Sequence, residues 1–401
     1  MKSFFKKIED NFLKFGWLMP AYMPLGEAVG RSILNILLVI YISWGLVVIF
    51  RRGKEIWISS VCIPLLILWG AFFLSIFNAE DVPRAFHAWQ KYFFSSLTVP
   101  LTVFVLRINP EKWKSFVLSL AATGVFLPFL LVAKSAISSG FEFFVLPRSM
   151  IERNLPFLLP IVFLVISRLK NIYYKLILSG FFFIFFFAII IASQGRAALV
   201  ALGLGISFYF IFVIKVRARI FVPVFSIFIV FSILISGPFF FRHAESQHIQ
   251  SDYIDYFSSG RTLLWKQAIK NPPDNVFFGI GMSNVRYVDE VMTINDHRVK
   301  HLHNFLFDAW YETGLAGLAA LVLLWSMMIF FCLKRIKYFN GGLRSEVLAL
   351  LCSFVALLGG GLFSYSYMSP QLTNYLYFIL SGLFFIGRYA IHSKTSEAMV
   401  S

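Results

Sequence analysis

A polytopic all-α membrane protein with about twelve transmembrane helices is the fold class this sequence predicts. Hydrophobic residues make up 59% of the chain and only 14% is charged, far from the balance of a soluble globular domain. Apolar runs of about 17–20 residues recur along the whole length, and about 20 are needed to cross about 30 Å of hydrocarbon. Clusters of lysine and arginine follow every second run, and in short loops such clusters mark the cytoplasmic side.

The runs justify themselves in order. The first, near 10–26, follows Lys2, Lys6 and Lys7. Lys14, Pro20 and Pro24 interrupt it, and Glu27 stands beside the loosely signal-like Ala28-Val29-Gly30, so it reads as an uncleaved span. Runs near 33–50, 56–77, 92–106 and 115–133 come next, with Arg51/Arg52/Lys54 and Arg107/Lys112/Lys114 after the second and fourth spans. Those near 154–167, 176–193, 197–214 and 220–237 carry Arg168/Lys170/Lys175 and Lys215/Arg217/Arg219. The last three, near 305–333, 346–363 and 372–390, carry Lys334/Arg335/Lys337/Arg344 and then Arg388/Lys394. Twelve spans put every cluster on one side and both termini in the cytoplasm. The formal charge of +16 is then a topogenic signal facing anionic membrane lipids, not a nucleic-acid surface. Cys62, Cys332 and Cys352 all fall in predicted spans without paired spacing and read as small buried hydrophobes.

This layout divides the chain into residues 1–237 (nine spans), a long loop at 238–304 outside the cytoplasm, and residues 305–401 (three spans and a cytoplasmic tail). The loop holds five of the chain's seven histidines, His243, His248, His297, His301 and His303. Its aromatic residues, among them Tyr253, Trp265 and Phe277, argue for order. Within it, SSGRTLLWKQAIKNPP predicts a short helix capped by Ser258 or Ser259 and ended by Asn271-Pro272-Pro273. Leu264, Trp265, Ala268 and Ile269 form its apolar stripe, which suits a helix lying along a membrane surface. Arg261 opens that helix, either as an anion seat beside free backbone N–H groups or as a solvated helix-end arginine. The Gly279-Ile280-Gly281 segment reads as a tight turn, since it lacks a dinucleotide fingerprint's third glycine.

The stretch HLHNFLFDAWYETGLAG, 301–317, crowds ionisable groups at the mouth of the tenth span. On a helix running through it, His303, Trp310, Gly314, Gly317 and Leu321 share a stripe, with the glycines admitting a neighbouring helix. His301, Asp308 and Glu312 project from the other side, so the two histidines are not a ligand pair at i,i+4 spacing. No Asp-x-Asp occurs anywhere, and neither a metal nor another cofactor is expected. A neutral imidazole here is either structural or a proton acceptor. Arg196, in SQGRAALVALGLG, opens the eighth span at the same face, where it is either an interfacial anchor or a phosphate ligand. Arg153 stands at a further entrance on that side. Arginines bind phosphate with forked, charge-assisted hydrogen bonds, so arginines beside a histidine at a bundle's mouth suit chemistry on a lipid-linked phosphate.

His303-Asn304, nine residues, then Gly314-Leu315-Ala316-Gly317 resembles the H-[N/S/Q]-x9-G-x-x-G pattern of the bacterial O-antigen ligases. The twelve-span layout, the large loop before the third-last span, Gln194-Gly195-Arg196 opening a mid-chain span and the Gly260-Arg261-x3-Trp265 helix are similar too. The resemblance implies a C-type glycosyltransferase-like fold, and a metal-independent transfer of a glycan from undecaprenyl diphosphate to a sugar hydroxyl of lipid A–core. It implies a periplasm-facing site in the inner membrane, with His303 as catalytic base and Arg196 and Arg261 on the diphosphate. Arg153, His301, Asn304 and Gln194 are supporting residues, of which Arg153 and His301 align only by their surroundings. O-antigen polymerases share the donor, but no arginine outside the cytoplasm has a glycine at the eleventh following position, as their repeats would have. A transporter or lipid flippase is the reading from another class. It fits less well, because the charges gather at one face and the two halves do not correspond.

Overall fold

The computed structural model describes residues 2–19, 23, 25–26, 29–57, 61–139, 155–192, 196–213, 261–288, 293–294, 297–339, 341–369 and 371–389. These residues are helical apart from turns and a two-residue antiparallel pairing in which Ile294 lies opposite His297. The helices are α1 (Lys2–Phe15), α2 (Arg31–Trp57), α3 (Cys62–Leu74), α4 (Val82–Ser96), α5 (Thr98–Ile108), α6 (Trp113–Ser139) and α7 (Leu159–Ser167). They continue as α8 (Ile172–Ala192), α9 (Arg196–Phe208), α10 (Arg261–Lys270), α11 (Phe305–Arg335), α12 (Gly341–Phe363) and α13 (Leu376–Tyr389). Among the described residues six helical segments are long and apolar enough to cross a membrane: 32–53, 82–108, 110–137, 172–191, 305–338 and 341–363. Shorter apolar helices cover 62–78 and 197–213. The chain is thus a polytopic helical membrane protein. The apolar run near 220–237 lies outside the described residues.

Burial sorts the helices. Every residue of α13 from Leu376 to Gly387 is buried, as expected of a helix that is apolar all round and surrounded by others. It packs against α5, α11 and α12, while α3 packs against α11 and α9 against α12. The α9–α12 seam is built from small residues. A Cβ on Gly205 would lie 2.9 Å from Ala356 Cβ, and one on Gly359 would lie 2.6 Å from Leu204 Cδ1. Without a hydrophobic drive between helices in lipid, such close backbone approach supplies the packing. By contrast α8 presents Tyr173, Tyr174, Leu176, Ile177 and Ile184 outward, the apolar surface that lipid would cover.

Arg51, Arg52, Arg107, Arg168, Arg335 and Arg388, the described basic residues that make contacts here, gather at one end of the bundle. Glu9 accepts from Arg51 at 2.7 Å and Arg52 at 2.6 Å, and Asn109 donates to the Leu13 carbonyl. Buried Glu346 accepts from Trp113 Nε1 at 2.5 Å and pairs with Arg168. Arg335 donates to the Arg388 carbonyl, and the Arg107 guanidinium lies over the Tyr389 ring. These contacts tie the described parts of both terminal regions to the same end. Residues 2–15 make α1, with Lys6 and Lys7 exposed and Glu9 buried, and part of the first apolar run lies outside the described residues. Alternation of charged and apolar residues at helical spacing explains why this segment forms an amphipathic helix.

Candidate active site

The end opposite the basic clusters holds α10, the start of α11 and the turn between α12 and α13. Asn304 starts α11: its side-chain oxygen accepts from Leu306 N at 2.9 Å and Phe307 N at 3.2 Å. Asn304 thus satisfies backbone donors a helix start leaves free. Just before it, His303 adopts a φ of 56°, a left-handed conformation uncommon for a residue with a side chain. The helix therefore does not run through 301–303, and the stripe drawn from His303 along α11 does not exist in that form. The positive φ folds the two histidines together instead. Their ring centroids lie 4.1 Å apart, and His303 N donates to His301 Nδ1 at 3.2 Å.

Leu302, between them, is fully buried. Its N–H donates to Asp308 Oδ1 at 2.5 Å, and its carbonyl accepts from Trp265 Nε1 at 2.9 Å. The Trp265 ring also stacks on Phe307, with centroids 5.8 Å apart and planes within 4°. Arg261 stands one turn before Trp265 and donates to the Phe363 carbonyl at the end of α12, where the helix dipole favours a cation. Tyr311 OH donates to the Asn271 carbonyl at 2.9 Å, holding the other end of α10. Leu264 and Ala268 are buried against this assembly, but Ile269 is 61% exposed. Three residues of the expected apolar stripe, Leu264, Trp265 and Ala268, pack on protein, and Ile269 faces outward.

Two carboxylates of α11 point into the bundle. Asp308 is 0% exposed and Oδ2 lies 3.9 Å from His301 Nδ1, with the Ser366 side chain as a further partner. Glu312 accepts from Tyr367 OH at 2.7 Å and from the backbone of Ser283 and Val285. These acids were expected merely to project away from His303. They instead fasten the neighbouring segments, as buried polar groups must find hydrogen-bond partners or be costly.

Gly314 carries the largest departure from a plain helix. Its φ of 67° and ψ of −172° break α11, and the backbone of residues 276–281 fills the gap. Leu315 N and Ala316 N donate to the Val276 and Phe277 carbonyls at 2.9 and 3.1 Å. Ile280 N and Gly281 N donate to Tyr311 O and Glu312 O at 3.1 and 2.9 Å. Gly279 and Gly281 have φ of 68° and 89°, so the glycine turn is docked into the broken helix. Gly314 admits this loop rather than a helix, whereas a Cβ on Gly317 would lie 3.1 Å from Phe72 of α3. The loop is also anchored on α4: Asp81 N donates to Asn284 Oδ1 at 2.9 Å, and Tyr287 OH donates to Asp81 Oδ2 at 2.8 Å. Hydrogen bonds from Arg84 N and Tyr287 hold the Asp81 carboxyl below its ordinary range.

The structure thus gathers Arg261, Trp265, His301, His303 and Asn304 in one neighbourhood. Arg196 is described only as the first residue of α9, and Arg153 and Gln194 lie outside the described residues. Sequence reasoning missed the Asp81–Tyr287 and Asp308–Leu302 ties. Asp81 caps the helix that starts at Val82-Pro83, and its partner lies 206 residues away, beyond any local pattern. Chemically, the arrangement offers an imidazole on a fixed turn and a guanidinium one helical turn from the residue that holds that turn. Comparison with curated proteins gives no match. A family model described as O-Antigen ligase matches residues 181–322, the stretch that runs from α8 through α10 to the middle of α11. Over that segment the chain is similar to the O-antigen ligase family.

Proposed function

We propose that the protein transfers a finished glycan from undecaprenyl diphosphate to a sugar hydroxyl of lipid A–core, on the periplasmic side of the bacterial inner membrane. The acceptor oxygen attacks the anomeric carbon, the bond from that carbon to the diphosphate oxygen breaks, and undecaprenyl diphosphate leaves. His303 takes the hydroxyl proton, a role worth about 10²–10⁴-fold in rate. Arg196 and Arg261 bind the diphosphate and neutralise the charge it gains as the bond breaks. Arg153, His301, Asn304 and Gln194 shape the surroundings.

One observation carries the reading: the Trp265–Leu302 hydrogen bond joins the turn bearing Arg261 to the turn bearing His303. The family match over the same residues agrees with it. The test is to incubate purified protein with undecaprenyl-diphosphate-linked glycan and either complete or truncated lipid A–core. Glycan appearing on the complete core alone is the expected product. Elongation of the lipid-linked glycan, with nothing on the core, would make the protein a polymerase and overturn the ligase reading. Movement of donor across vesicles without any transfer would make it a transporter.

A further inference from the structure

We propose that Asp308 is a positioning residue for His303, acting together with Trp265 through the one residue that separates the two histidines. The inference rests on His303 being the base. Leu302 is held at both of its backbone polar groups, its N–H by Asp308 Oδ1 and its carbonyl by Trp265 Nε1. One clamp comes from the first turns of α11 and the other from α10, so the Leu302 backbone is fixed between two elements. His303 follows directly, with its left-handed φ of 56° and its N–H bonded to His301 Nδ1. A residue keeps such a conformation only where its surroundings over-determine it.

A bland account would make Asp308 a helix-start carboxylate favoured by the dipole. The geometry argues otherwise. Asn304 already caps α11, and Asp308 reaches back six residues rather than to the free amides of its own helix. Its second oxygen faces His301 Nδ1 at 3.9 Å. The same carboxylate therefore holds the backbone between the histidines and borders the imidazole on which the His303 amide rests. Removing it orphans a buried N–H and lets His303 relax out of its left-handed conformation. A displacement of about 1 Å at a reacting group costs about 10²-fold in rate.

Wild type, Asp308→Ala, Asp308→Asn, Trp265→Phe and His303→Ala are compared in the purified transfer reaction, with hydrogen exchange read on a peptide spanning 300–306. Asp308→Ala lowers kcat about 100-fold and leaves the KM for donor within about threefold, while exchange at 300–306 rises. Asp308→Asn returns kcat to within about fivefold of wild type, because its amide oxygen still accepts from Leu302 N. Trp265→Phe keeps the ring against Phe307 but loses the N–H, and lowers kcat about tenfold. That variant carries the test if Asp308→Ala fails to fold. Wild-type kcat in Asp308→Ala or Trp265→Phe, or Asp308→Asn as slow as Asp308→Ala, would overturn the clamp. An active His303→Ala would overturn the base assignment instead, so the two failures are distinguishable.

Discussion

Replacing Gly314 by alanine tests the account of the broken helix. At φ 67° and ψ −172° the backbone lies in a region essentially restricted to glycine, at a strain cost of about 1–3 kcal/mol for any other residue. The added Cβ would also sit 2.2 Å from both the carbonyl carbon and the oxygen of Phe277, and 2.4 Å from Phe278 N. These are backbone atoms and cannot rotate away. Relief requires the 276–281 segment to withdraw, which loses the hydrogen bonds from Leu315, Ala316, Ile280 and Gly281. At about 0.5–1.5 kcal/mol each, those four bonds amount to about 2–6 kcal/mol. That is a large share of the about 5–15 kcal/mol that stabilises a typical fold. Thermal unfolding of the detergent-purified variant, with hydrogen exchange over 275–281, reads the effect. The reasoning predicts a lower midpoint and lost protection at 280 and 281. Gly180→Ala in α8 is the control, because a Cβ there meets nothing within 4 Å. Wild-type midpoint and protection in Gly314→Ala would refute the argument.

Three further outcomes follow from particular residues. The native-state depression of the Asp81 carboxyl stabilises the loop anchor at pH above the unfolded value of 3.8 and is lost as pH falls through the lowered folded value. Exchange over 281–288 should therefore rise in acid for the wild type, and Asp81→Asn should show no such acid-dependent step. Cysteine placed at the exposed positions Ile269 or Tyr338 probes sidedness with an impermeant thiol reagent. The three native cysteines are buried and give little background. Labelling of the 269 variant from outside the inner membrane and of the 338 variant only after lysis is expected, and the reverse would invert the topology. Arg261→Lys keeps a cation at the end of α12 but not the forked geometry that fits phosphate. Thermal stability should be kept while donor KM rises about tenfold or more, whereas an unchanged KM would remove Arg261 from the diphosphate site.

What the sequence made legible follows from where the information is local. Run length alone located α2, α8, α11 and α12, because crossing hydrocarbon demands a fixed number of apolar residues. The helix Arg261–Lys270 was readable from its spacing and from Asn271-Pro272-Pro273, which stop it. Helical phase was also read through His303, and there it failed. Asn304 was counted as part of a motif rather than as the cap that ends the irregular segment. Gly314 was taken as a packing glycine because small-residue spacing is the same whether a helix or a loop approaches. Its positive φ is visible only in coordinates. Likewise Asp308 and Glu312 were placed by the helical wheel, which gives a direction but not a partner. Leu302, Ser366, Ser283 and Tyr367 came to them through tertiary structure. The long-range ties from Asp81 and Arg84 to residues 283–287 had no local signature at all.

Central to the account is His303 as the proton acceptor in glycan transfer. The most direct measurement is single-turnover transfer by purified His303→Ala at saturating undecaprenyl-diphosphate-linked glycan and complete lipid A–core, alongside wild type and with donor binding measured separately. The account predicts a rate about 10²–10⁴-fold lower with donor affinity unchanged. Transfer at the wild-type rate by a correctly folded His303→Ala protein would contradict it.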